Sequence, residues 1–167
     1  MFAMAIVLSF VVLSSIRNLI DNEIGTALKV FSLVSCILAL ILMFQRDTYL
    51  PFLGYTALPK SLIKDMIAPA NSNVYANIEV KDVPDGTKII YWGAKPSKLP
   101  LPNPWDAYDH YQNAGVTEIR GGKAQLRFHC PATYKVPSGV TLNRHVHYRI
   151  CYEDGMIGPV ETTYVDC

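Results

Sequence analysis

Two apolar stretches open the chain. Residues 2–16, FAMAIVLSFVVLSSI, carry no charge, and residues 24–44, IGTALKVFSLVSCILALILMF, carry one, Lys29, close to their start. Neither shows the polar stripe of a helix lying on a globular core. The second has the roughly 20 residues that a helix needs to cross a hydrocarbon layer about 30 Å thick, and Lys29 is near enough to its end to reach the interface. The first, at about 15, is short for a span, and the pattern leaves open whether it crosses the bilayer or lies in its surface. No basic segment precedes it and no small-residue cleavage pattern follows it before Arg17, so it does not read as a signal peptide. The expected element is a membrane anchor of two hydrophobic helices over residues 1–45, with a lipid bilayer as its first partner.

Residues 46–73 form a connector. Pro51, Gly54, Pro59 and Pro69 interrupt any long period and allow at most one short helix near residues 61–67, while Tyr49, Leu50, Phe52, Leu53 and Tyr55 make it too apolar for a solvated linker. From residue 74 the period becomes two. Residues 74–80 alternate, VPDGT at 83–87 is a turn, and residues 87–94 read as a buried strand expected to pair with the first. KPSKLPLPNPW at 95–105 holds four prolines and is a loop. Gly121-Gly122 makes a hairpin turn into AQLRFHC, where Ala124, Leu126 and Phe128 line one face. HVHYRICYE from His145 and VETTYVD after Gly158 complete six or seven short strands over residues 74–167. The expected fold class is mainly β: an N-terminal transmembrane α-hairpin followed by a small antiparallel β-sandwich.

Charge sharpens this division. The chain has 15 basic and 14 acidic residues, and residues 1–44 hold only four of them, Arg17, Asp21, Glu23 and Lys29. A net charge of +1 with no basic run gives nothing to gather nucleic acid. No phosphate loop, dinucleotide fingerprint, nucleophile elbow or paired CxxC is present. Arg46, Lys60 and Lys64 follow the second apolar stretch, and by the positive-inside bias they keep the β domain on the cytoplasmic side. Cys130 and Cys151 lie in expected strands, where free buried thiols are the expectation for a cytosolic side and pairing the alternative. No disulfide framework is assigned.

One pattern carries candidate chemistry. His145 and His147 are two apart on a strand, so both imidazoles point the same way and can hold a metal between them. Tyr134 is a candidate third ligand and Tyr108 or Tyr111 a fourth, phenolates and imidazoles together suiting iron(III). The bland reading is a pair of histidines on a sheet face bonded to neighbours or solvent. Asp106, Asp109 and His110 fall in one loop and read as turn-capping or solvated groups. Cys130 beside His129 is no nucleophile pair, since adjacent strand residues face opposite sides.

Residues 115–150, with Cys-Pro-x-x-Tyr ending at Tyr134 and then His145-Val146-His147, resemble the end of the intradiol ring-cleavage dioxygenases. That resemblance implies a prealbumin-like sandwich and an iron site of tyrosines and histidines. The chain departs from the family in the turn before Tyr134 and in the closer spacing of its tyrosines and histidines. A second likeness is longer. TYLPFLGYTALP, GTKIIYWGAKPS, NPWDAYDHYQNAGVTEI, CPATYKVP and HVHYRICYEDGMIGPVETTYV, in this order, resemble small membrane-anchored virion proteins of large icosahedral double-stranded DNA viruses. It implies a structural minor capsid protein tethering an inner membrane to the capsid shell, with other capsid proteins as partners, no catalytic residue and no cofactor. Trp105, Tyr108 and Tyr111 are then the contact candidates, core packing being their alternative. The function expected from the sequence is this virion protein; a membrane-tethered non-haem iron enzyme using Tyr134, His145 and His147 is the alternative.

Overall fold

The computed structural model describes residues 2–45 and 53–167. Residues 46–52, which include Arg46 and the run Tyr49, Leu50 and Phe52, lie outside the described residues. The chain divides into two compact units, Met1–Gly54 and Tyr55–Cys167, described in turn.

The first unit is a helical hairpin. Helix α1 spans Phe2–Ile20 and α2 spans Thr26–Phe44, 19 residues each; at 1.5 Å per residue each is about 28 Å long, the thickness of a bilayer core. By length and composition α2 can cross a membrane. The residues buried between the helices are mostly small: Leu8, Ser15, Ser32, Cys36 and Ala39. Asn18 Nδ2 donates to Ser32 Oγ at 3.2 Å across the seam. Small side chains let helices approach closely, and a polar pair finds its partner inside the seam, which is how helices associate where lipid replaces water. Phe10, Leu13, Phe31 and Leu38 point outward and are exposed.

The second unit is built from ten short strands. β1 is Thr56–Ala57, β2 Val74–Glu79, β3 Lys88–Gly93, β4 Ala114–Glu118, β5 Lys123–Phe128, β6 Tyr134–Lys135, β7 Thr141–Leu142, β8 His145–Cys151, β9 Met156–Ile157 and β10 Glu161–Tyr164. A six-stranded antiparallel sheet runs β1-β9-β8-β3-β4, with β10 also paired to β8. β2 pairs with β5, and β6 with β7. β5 reads KAQLRF, and its Ala124, Leu126 and Phe128 are all buried, as the alternation requires. They meet Ile89, Tyr91 and Val146 of the large sheet in the main core. Burying side chains such as Phe128 and Leu126 completely contributes roughly 1.5–3 kcal/mol each.

Three expectations need correction. β2 and β3 are not a pair: β2 joins β5, and β3 lies between β4 and β8. The cause is the loop at 81–87. Val80 N–H bonds the Gly122 carbonyl at 2.9 Å and the Asp85 carboxylate accepts from Gly121 N–H at 2.8 Å, so the loop is tied to the β4–β5 turn and carries the chain between layers. The layers are also unequal, six strands against two with a separate β6–β7 pair, and helix and strand each make up 29% of the chain. The molecule is two N-terminal helices followed by antiparallel sheets, a mixed architecture and not a mainly β one.

The cysteines are the third correction. Cys130 is disulfide-bonded to Cys167, 37 residues on. Cys151, the partner considered for Cys130, is a buried free thiol, and Cys36 is also free. Burial raises the Cys151 thiol pKa, which keeps it protonated.

Candidate metal-binding site

Strand β8 has two working faces. Val146 points into the main core, so by alternation His145 and His147 stand on the opposite face. That face is covered at one end by a second apolar cluster of Ala94, Ala107 and Tyr134, with Leu101, Tyr108, Val136 and Leu142 against it. The proline-rich loop builds this cover. Asn103 Oδ1 accepts from Asp106 N–H at 2.8 Å and starts the short helix α3, Pro104–Ala107, with Pro104 at its first turn. Leu101 bridges to Tyr134 and thereby fixes β6 beneath the loop.

Two phenols and two imidazoles converge here. The Tyr108 and Tyr134 hydroxyls are 2.7 Å apart. Tyr134 Oη lies 3.1 Å and Tyr108 Oη 3.5 Å from His145 Nε2. The His147 ring is 4.7 Å from that of His145 and 6.0 Å from that of Tyr108, centroid to centroid. His145 and Tyr134 are each 4% exposed, so water does not separate these groups.

The backbone sets the proton order. A carbonyl only accepts, so the Asn143 oxygen, 2.5 Å from His145 Nδ1, places the ring proton on Nδ1 and leaves the lone pair on Nε2. Nε2 then accepts from the nearer phenol, Tyr134, whose oxygen can accept in turn from Tyr108. His147 Nδ1 lies 2.9 Å from Thr162 Oγ1, and Thr162 is its direct cross-strand neighbour on β10. Trp92, its neighbour on β3, lies against the other side with ring centres 5.6 Å apart. Burial lowers the pKa of His145, the Asn143 bond opposing it, and keeps the imidazole neutral. Burial, and then the Tyr134 hydroxyl, push Tyr108 far above the ordinary tyrosine value. The Tyr108 phenol is thereby kept protonated.

The separations fit a mononuclear ion. A triangle with sides of 2.7, 3.1 and 3.5 Å has a circumradius of about 1.8 Å, so one point lies about 2 Å from all three donor atoms, the usual metal–ligand distance for oxygen and nitrogen. Among the described residues no group of three or more His, Cys, Asp and Glu gathers; the donor set is half phenol. Tyr134, His145 and His147 lie together, and Tyr108 lies with them. Tyr111 does not join them. It stacks on the Tyr108 ring at 6.0 Å and is 60% exposed, while Trp105 is 75% exposed.

Asp106 caps within its own turn, and Asp109 pairs with Lys95 and His110. Sequence reasoning missed Asn113, which is buried and binds the Ala94 carbonyl, the His129 carbonyl and the His129 N–H at 2.8–2.9 Å, bracketing the ends of β3 and β5 beside the site. It also missed Thr162, whose role becomes visible only from the β8–β10 register. No known protein family matches this chain, and no curated protein matches it.

Proposed function

We propose that this chain is a membrane-anchored protein whose sheet unit binds one ferric ion through Tyr108, Tyr134, His145 and His147. The observation that carries the reading is the mutual distance of the Tyr108, Tyr134 and His145 donor atoms. Iron(III) suits this set because phenolate oxygen is a hard donor and imidazole a borderline one. Such an ion acts as a Lewis acid toward a chelating oxygen ligand, and the resemblance to intradiol dioxygenases implies a catechol in that role. The chain's own contribution is to exclude water, to hold both imidazoles by their Nδ1 atoms, and to give up two phenolic protons on loading. The sandwich class that the resemblance implies belongs to the same proposal, supported by a core that mixes residues of two sheets.

The test is titration of the full chain, in detergent, with ferric nitrilotriacetate. The expected result is saturation at about one iron per chain with a broad visible phenolate-to-iron absorption band, weakened by Tyr108→Phe and abolished by Tyr134→Phe combined with His145→Gln. No band, or a band unchanged in these variants, overturns the reading.

A second reading has its own observation. Leu99, Trp105 and Tyr111, in the proline-rich loop and the turn that follows it, are 75%, 75% and 60% exposed, a concentration of apolar area typical of a contact surface. With the hairpin, it supports the tethering of a viral inner membrane to other capsid proteins, a structural role that a bound ion would reinforce and not replace. In that setting, deleting residues 1–45 releases the chain from purified particles; retention in full amount contradicts the tether. The Cys130–Cys167 disulfide favours an oxidising compartment for the sheet unit and so weighs against the sidedness that charge bias suggests.

A further inference from the structure

Strand β10 is four residues long, exposed at Glu161 and Tyr164, and among the described residues pairs with β8 alone. Little buried surface holds it. Yet it supplies two groups to the cluster: Thr162, whose hydroxyl meets His147 Nδ1, and Tyr164, whose ring lies 6.0 Å from that of His145. Both are direct register partners of those histidines, Thr162 opposite His147 and Tyr164 opposite His145. Beyond Tyr164 the chain is fastened three times within three residues. Val165 N–H bonds the Arg144 carbonyl at 3.2 Å, Arg144 Nη1 donates to the Cys167 carbonyl, and Cys167 is bonded to Cys130. These attachments surround an open cavity of about 590 Å³ walled by Thr133, Arg144, Tyr164 and Cys167, so the end of β10 is held by bonds and not by packing.

We propose that β10 is a positioning strap for the metal site: Thr162 orients His147, and the Cys130–Cys167 bond fixes the strand that carries Thr162. This inference rests on the ferric reading above. His145 offers Nε2 to the phenols because its Nδ1–H is committed to the Asn143 carbonyl, and on this proposal the Thr162 hydroxyl engages His147 Nδ1 and so makes Nε2 its ligating nitrogen. Removing such an outer partner from a ligating imidazole typically costs 10–100-fold in metal affinity. A strand end without its covalent tie frays, and Thr162 is only five residues from Cys167.

The experiment loads the full chain in detergent with ferric ion and follows its transfer to an excess of a strong chelator, by the visible band and by elemental analysis of the protein. Thr162→Val keeps the side chain's shape and removes the hydroxyl; it is expected to release iron about tenfold faster, and Thr162→Ser to restore the wild-type rate. Cys130→Ser with Cys167→Ser is expected to release iron faster as well. Thr163→Val, on the opposite face of the same strand, is expected to leave the rate unchanged. A wild-type rate in Thr162→Val overturns the orienting role, and a wild-type rate in the double serine variant overturns the clasp, with iron binding intact in both cases. A wild-type chain that takes up no iron overturns the ferric reading and this inference together.

Discussion

Gly115 of β4 shows how little freedom single residues at the main core have. A Cβ there would lie 2.3 Å from the Tyr91 hydroxyl and 2.5 Å from the Ile67 carbonyl oxygen. Tyr91 cannot yield, because its hydroxyl donates to the Arg127 carbonyl at 2.8 Å from a position 2% exposed. Gly115→Ala is therefore expected to lower stability by about 2 kcal/mol or more, the cost of overpacking a dense core, read as a fall in the thermal or urea midpoint; an unchanged midpoint would contradict the packing described. At this scale the sequence revealed residue types but not their partners. The His145/His147 pair could be read from the spacing of two, because strand geometry alone puts them on one face. Asn113 and Thr162 could not, because each acts on groups 15 to 19 residues away in the chain, a distance that only the folded register closes. Choosing between Tyr108 and Tyr111 was equally beyond reach. The turn through His110 and Tyr111, both at φ 50, sends one ring inward and the other onto its back, and left-handed backbone at two non-glycine residues is not what local preference dictates.

The elements divide into those set by local pattern and those set by context. β5 was legible from alternation, β8 as a strand apolar on both faces, and the two helices from unbroken apolar runs; α1 extends to Ile20, beyond its uncharged segment, since Arg17 and Asn18 continue the same helix. What alternation does not encode is which strand pairs with which. The expected β2–β3 hairpin fails because residues 81–87 are bound to the next turn by Asp85, an interaction between residues 36 apart. In the helical hairpin, the small residues facing inward and the Asn18–Ser32 bond make a prediction at this scale. Ser32→Ala is expected to reduce the hairpin's resistance to unfolding in sodium dodecyl sulfate by about 0.6 kcal/mol, the average for a hydrogen bond between membrane helices. Ser32→Leu, which puts a large side chain into the seam, is expected to cost more. If Ser32→Leu unfolds at the wild-type detergent fraction, the seam is not where α1 and α2 associate.

At the scale of the whole molecule, three features bear on one account: a helical hairpin whose α2 is long and apolar enough to cross a membrane, a sheet unit with a Cys130–Cys167 disulfide, and a cluster of two phenols and two imidazoles under a proline-rich cover. The disulfide was the feature least accessible from sequence. Counting cysteines left an odd number in the soluble part, and only the return of the last strand beside the end of β5 brings Cys167 to Cys130. Within the cluster the buried hydroxyls and imidazoles offset their desolvation by bonding one another, Asn143 and Thr162; the proposed ion would give the four groups one common partner. The measurement that tests this most directly is the iron content of the full-length chain, purified in detergent from cells supplied with iron and analysed beside the Tyr134→Phe, His145→Gln variant. The account predicts about one iron per chain in the wild type and almost none in the variant. A folded wild-type chain without metal, or equal iron in both proteins, would contradict it.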